Sequence, residues 1–73
     1  MNLYQKNAIA YLKAQIEVAI NFKNSGNIAK YETLKNAIRN DLYYCSTIGI
    51  FTIEKVKLLL KITEKKICCN NSR

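Results

Sequence analysis

The chain of 73 residues contains no histidine, no proline and no tryptophan, and only two glycines, Gly26 and Gly49. Without histidine, the side chain that most often acts as a general base and as a metal ligand is missing. Without proline, no helix has to break at a missing backbone donor, so long helices are allowed. The absences therefore favour a helical protein and count against catalysis.

Acidic side chains are also scarce. The five acids are scattered along the chain, at Glu17, Glu32, Asp41, Glu54 and Glu64. Their spacing predicts neither a pair of catalytic carboxylates nor a cage for a divalent cation. The sequence has no glycine-rich phosphate loop and no nucleophile elbow. We therefore expect a protein that is not an enzyme and that needs no cofactor.

Long apolar runs are missing as well, because no eighteen consecutive residues are apolar and the N-terminus lacks the pattern of a signal peptide. We expect a cytoplasmic protein without a membrane partner. Cys45, Cys68 and Cys69 make an odd number of cysteines, which indicates free thiols in a reducing compartment. Because adjacent cysteines lack the C-x-x-C spacing of zinc sites, we expect no metal.

The first segment predicts a helix over residues 3–23 that is rich in apolar side chains. At about 100° per residue these side chains cover an arc of about 200°, wider than the ~100° stripe of many surface helices. They are Tyr4, Ala8, Ile9, Tyr11, Leu12, Ile16, Val18, Ala19, Ile20 and Phe22. Such a helix needs either two neighbours within the fold or a homodimer to cover it. The segment 24–27 predicts its end, because Gly26 adopts left-handed backbone at little cost.

Two amphipathic helices follow, over residues 28–45 and 52–68. Asn27 or Ser25 can cap the second helix, and Thr52 can cap the third. The apolar stripes are Ile28, Tyr31, Leu34, Ile38, Leu42 and Cys45 in the second helix and Ile53, Val56, Leu59, Leu60, Thr63 and Ile67 in the third. A chain this short supports one core. The prediction is an all-α, compact three-helix bundle over residues 1–73, with 69–73 frayed and with the first helix as a candidate dimer interface.

Positive charge is concentrated in the last third of the chain. The formal net charge is +7, of which residues 1–27 contribute +2, residues 28–46 contribute +1 and residues 47–73 contribute +4. A positively charged surface attracts nucleic acid, an anionic membrane or an acidic protein surface. The simpler alternative is that the basic third helix is only solvated. In that case its lysines reflect a genome whose base composition favours lysine and asparagine codons.

The order of elements over residues 42–61 resembles a helix-turn-helix, with Gly49 in the turn and Thr52 at the start of a basic helix. The candidate nucleic-acid-binding residues are Arg39, Thr52, Lys55, Lys57, Lys61 and Lys65. Lys55, however, falls where the motif needs an apolar residue, and Val56 follows one position late. A small nucleic-acid-binding regulator, with DNA as the expected partner, is the leading functional hypothesis.

A second hypothesis is a protein-interaction module or inhibitor, of the kind that mobile elements encode, which docks on an acidic protein surface. Its candidate contact residues are Tyr43, Tyr44 and Phe51, because aromatic side chains dominate many protein interfaces. The alternative is that Phe51 and its neighbours Ile48 and Ile50 fold inward and cap the bundle. Tyr43 is the side chain that we most expect to be exposed.

Overall fold

The three helices predicted from the sequence are present in the computed structural model, which describes residues 2–69 and the side chains of residues 2–67. They are α1 (Leu3–Asn24), α2 (Ile28–Thr47) and α3 (Ile53–Cys69). Each helix contacts both others, so the all-α three-helix bundle is confirmed. Of the predicted frayed tail, Cys69 is the last residue of α3, and residues 70–73 lie outside the described part.

The core is built from one stripe of each helix. Ala19 of α1, Ile38 of α2 and Val56 of α3 are almost completely buried. The other buried apolar side chains are Leu12, Ile16, Tyr31, Leu42, Phe51, Leu59 and Ile67. Thr63 is buried among them, and its hydroxyl donates to the carbonyl oxygen of Leu59 over 2.8 Å. That bond removes the cost of burying an unpaired hydroxyl.

In α2 and α3 the predicted apolar stripes fail only at the first residue of the helix. Ile28 begins α2 and Ile53 begins α3, and both side chains are exposed. The first residue of a helix lies at an end of the bundle, where a neighbouring helix covers less of it. The periodicity therefore identified the core correctly and overestimated its extent at the helix ends.

Both turns between helices end the preceding helix in the same way. Gly26 and Gly49 have φ values of +83° and +86°, in the left-handed region. In each turn the glycine N–H donates a hydrogen bond to the carbonyl oxygen three residues earlier. The N–H of the following residue donates to the carbonyl oxygen five residues before it, and all four distances are 2.8–3.2 Å. This is the Schellman arrangement, which satisfies the last carbonyls of a helix. Because Gly49 ends α2, the helix continues to Thr47, two residues beyond its predicted end.

Polar side chains fix the start of each helix. Asn27 Oδ1 accepts from the amide of Lys30 at 3.3 Å, so Asn27 rather than Ser25 caps α2. Thr52 Oγ1 accepts from the amide of Lys55 at 3.2 Å, which confirms the predicted cap of α3. The start of α1 has a capping box, formed by Asn2 and Gln5, which the sequence analysis did not identify. The Nε2 of Gln5 also donates to the carbonyl oxygen of Ile50 over 2.9 Å. This last bond joins the start of α1 to the turn before α3.

The contribution of the Thr52 cap to stability can be tested by substitution. We expect Thr52→Ala to lower the free energy of unfolding by about 1 kcal/mol, because the orphan amide of Lys55 loses its acceptor. Thr52→Ser keeps the hydroxyl and should retain most of the stability. Urea unfolding followed by circular dichroism measures both variants. Equal losses in the two would show that the hydroxyl does not cap α3.

Candidate functional site

Three exposed lysines form a line along α3. Lys57, Lys61 and Lys65 follow one another at intervals of four residues, so they project from one side of the helix over about 12 Å. The opposite side of α3 carries Val56 and the rest of its buried stripe. Within the described residues, none of the three lysine side chains has an ion pair, a hydrogen bond or a ring contact. We call this set the lysine line.

Other lysines have aromatic partners inside the protein. The Nζ atoms of Lys23 and Lys35 lie 5.5 Å and 5.4 Å from the ring centroid of Tyr31, and Lys30 Nζ lies 5.7 Å from that of Phe22. At these distances the ring faces attract the ammonium groups. Part of the positive charge of α1 and α2 therefore contacts aromatic rings within the protein, whereas the charge of the lysine line does not.

The structure separates the remaining candidate nucleic-acid residues. Lys55 lies about 160° around α3 from Lys57 and, with Thr52, lines a cavity at the start of α1. Arg39 is exposed on α2. It lies on the flank of the helix opposite Asp41, whose carboxylate accepts a hydrogen bond from Gln15 of α1. Arg39 thus belongs to the side of α2 that faces away from α1. The Thr52 hydroxyl is engaged as a helix cap.

The structure of residues 42–61 differs from a helix-turn-helix in two respects. Five residues, 48–52, separate α2 from α3, whereas the motif usually has a turn of about three or four. Lys55 is exposed and Val56 is buried, so the position at which the motif requires an apolar contact carries a solvated lysine. The lysine line does not depend on this motif.

The three aromatic candidates for a protein contact do not form one patch. Phe51 is 6% exposed and belongs to the core, so its assignment to an interaction surface is wrong. The inward-folding alternative holds for Phe51, because the turn before α3 directs it between the helices. Tyr43 and Tyr44 are 37% and 62% exposed. They are consecutive on α2 and point about 100° apart, Tyr43 to the Arg39 flank and Tyr44 towards α1.

A second surface lies between α1 and α2, on the side away from α3. Tyr4, Tyr11 and Val18 recur every seven residues along α1 and are 71%, 61% and 44% exposed. Facing them, α2 contributes Ala29, Thr33, Ala37 and Tyr44. Two open cavities of about 400 and 320 Å³ lie along this groove, and none of the described side chains of α3 lines either one. We call this surface the α1–α2 face.

Cys45 is the cysteine whose side chain the structure describes, and its thiol is free. Burial, and to a smaller extent the negative charge of Asp41 one turn earlier, raise the pKa of this thiol. The thiolate, the reactive form, is therefore disfavoured at neutral pH. The side chains of Cys68 and Cys69, which the sequence predicts to be free thiols, lie outside the described residues.

Comparison of the chain with family models, with curated proteins and with solved structures gives no match. None of the described helices has the length and the apolar character needed to cross a membrane. Among the described residues, no three potential metal-ligating side chains come together.

The position of Phe51 can be tested against an exposed aromatic of the same region. We expect Phe51→Ala to reduce the free energy of unfolding by about 3–5 kcal/mol, as for other buried aromatic side chains. Tyr44→Ala is the matched control and should cost less than about 1 kcal/mol, since surface substitutions have small effects. Denaturant unfolding measures both. If Phe51→Ala does not fold, Phe51→Leu provides the comparison, and a loss no larger than that of Tyr44→Ala would contradict burial.

The raised pKa of Cys45 predicts slow alkylation. Because burial is the larger cause, we expect Asp41→Asn to increase the alkylation rate of Cys45 at pH 8 by less than about threefold. Peptide mapping by mass spectrometry follows Cys45 separately from the other cysteines. A thiol that binds its proton more tightly when folded contributes stability at neutral pH, and that contribution is lost as pH rises through the raised pKa. An alkylation rate of Cys45 in the folded protein equal to that of the same cysteine in an unfolded peptide would contradict the raised pKa.

Proposed function

We propose that the protein is a small, non-enzymatic nucleic-acid-binding regulator whose α3 contacts the phosphate backbone. The observation that supports this proposal is the lysine line, Lys57, Lys61 and Lys65, exposed and without an internal partner in the described residues. A lysine ammonium is a compact point charge that binds phosphate without reading the bases. Arg39, exposed on α2, adds a planar guanidinium, which binds phosphate through paired N–H donors.

Counterion release supplies the driving force in this proposal. Each phosphate that a cation neutralises frees condensed counterions, so binding weakens as salt rises. The line spans about 12 Å along α3, which gives room for several phosphate contacts. Because the Thr52 hydroxyl is engaged at the helix cap, we expect contacts to the backbone rather than to base edges, and therefore weak sequence preference. In this proposal the protein acts in the cytoplasm, with DNA as its target.

The proposal predicts that nucleic-acid affinity depends on α3 rather than on net charge alone. We expect Lys57→Glu combined with Lys61→Glu to weaken binding to a short DNA duplex at least tenfold at about 50 mM salt. Lys6→Glu combined with Lys13→Glu changes the net charge by the same amount on α1 and should have a much smaller effect. Fluorescence anisotropy of a labelled duplex measures both affinities, with circular dichroism as the check on folding.

The salt dependence of DNA affinity is a second test of the proposed phosphate contacts. The logarithm of affinity should fall linearly with the logarithm of salt concentration, and Lys61→Gln should reduce the slope by about one. No binding at low salt, or equal losses in the α1 and α3 double variants, would refute the proposal.

A second candidate function is docking on an acidic protein surface. Leu58 and Ile62 are exposed on α3 beside the lysine line. An apolar pair bordered by cations suits a protein partner better than a phosphate backbone, because apolar burial supplies affinity and charge supplies orientation. Leu58→Ala with Ile62→Ala should abolish binding to such a partner and leave duplex affinity within about twofold. Loss of duplex affinity in this variant would count against separating the two functions.

A further inference from the structure

The α1–α2 face is an apolar surface that the fold itself leaves uncovered. The buried stripe of α1 uses Leu12, Ile16 and Ala19, whereas Tyr11 and Val18 remain exposed on the side away from α3. Exposed apolar patches that are continuous, rather than scattered, mark interaction sites.

The charge on the α1–α2 face is nearly balanced, unlike that of the rest of the protein. The charged residues of α1, which are Lys6, Lys13, Glu17 and Lys23, lie about 100° or more around the helix from Val18. On α2 the face carries one cation and one anion, Lys30 and Asp41. The formal charge of the whole chain is +7. Two copies that meet through this face therefore bring together equal numbers of positive and negative charges there.

Lys30 and Asp41 have a self-complementary arrangement. They lie on the same side of α2, eleven positions apart, which separates them by about 16 Å along the helix. Neither forms an ion pair within the described residues: Lys30 lies over the Phe22 ring, and Asp41 accepts a hydrogen bond from Gln15 at 3.2 Å. In a two-fold dimer, residue i of one subunit contacts residue j of the other, and j contacts i. One cation and one anion at equal distances from an axis meet that condition.

We infer that the α1–α2 face binds a second copy of this chain, with the helices of the two copies related by a two-fold axis perpendicular to the face. The axis lies level with Val18 of α1 and with the segment between Thr33 and Ala37 of α2. Lys30 then meets Asp41 of the partner subunit, and Asp41 meets Lys30 of the partner subunit. The inference does not rest on the proposed nucleic-acid function.

The shape of the face agrees with this orientation. The end near the turn before α3 carries the bulky side chains Tyr11 and Tyr44, whereas the other end carries Ala29, Thr33 and Ala37 along the larger cavity. A two-fold axis between these ends places the tyrosine end of each copy over the small-residue end of the other. Small residues allow the helix backbones to approach closely. Because α3 lies on the opposite side, the lysine line stays exposed in both copies.

Charge reversal tests this dimer without nucleic acid. Sedimentation equilibrium of the full chain should show a dimer, and Lys30→Glu should raise its dissociation constant about tenfold, because two attractive pairs become repulsive. The double variant Lys30→Glu with Asp41→Lys exchanges the charges and should restore the dissociation constant to within about threefold. Val18→Lys places charge at the axis and should leave a monomer at about 100 μM.

Lys35→Glu is the matched control, since Lys35 also lies on α2 over an aromatic ring but on the other flank. It should change the dissociation constant by less than about twofold. Circular dichroism confirms that each variant is folded. A wild-type monomer at about 1 mM would overturn the inference and leave the face to a partner of another sequence. Equal effects of Lys30→Glu and Lys35→Glu, no recovery in the exchanged variant, or a dimer that survives Val18→Lys would also overturn it.

Discussion

Burial of one apolar stripe from each helix, around Ala19, Ile38 and Val56, is the interaction on which the rest of this structure depends. In a chain this short, little other apolar surface is available to offset the conformational entropy lost on folding. Once these stripes meet, the direction of every other side chain is fixed by its angle from the stripe on its own helix. The lysine line lies opposite the α3 stripe, and the α1–α2 face lies beside the stripes of its two helices.

The geometry of three helices also limits what can be buried. Each helix contacts two neighbours, and these neighbours cover only part of the wide apolar arc of α1. The side chains nearest α2 and α3 enter the core, whereas Tyr4 and Tyr11 remain outside. The described part of the chain has no fourth element to place over them, so the surplus apolar surface lies on the exterior. For this reason the composition of α1 determines part of the exposed apolar surface as well as part of the core.

Positive charge is divided between two roles. Lys23, Lys30 and Lys35 lie over the rings of Tyr31 and Phe22, where they contribute to packing as well as to charge. Lys57, Lys61 and Lys65 of α3 have no such partners in the described residues and face water. A count of charges along the chain gives both groups the same weight. The distinction arises because Tyr31 and Phe22 lie at the junction of α1 and α2, within reach of the lysines on those two helices and not of those on the outer side of α3.

Sequence alone determined the three helices, the cap at Thr52 and the buried stripes of α2 and α3, because helix periodicity and capping act over a few residues. It left Asn27 and Ser25 as alternative caps of α2, and the structure decided for Asn27. It also determined that α1 has more apolar surface than a helix commonly buries. Only the tertiary structure decided that Phe51 enters the core, that Lys55 is separated from the lysine line, and that Tyr43 and Tyr44 point to different sides. It alone placed Val18 beside Ala37 and Tyr11 beside Tyr44, with Lys30 and Asp41 at opposite ends of one face. These outcomes depend on which helices are neighbours and at what level they pack, and contacts between distant segments set both.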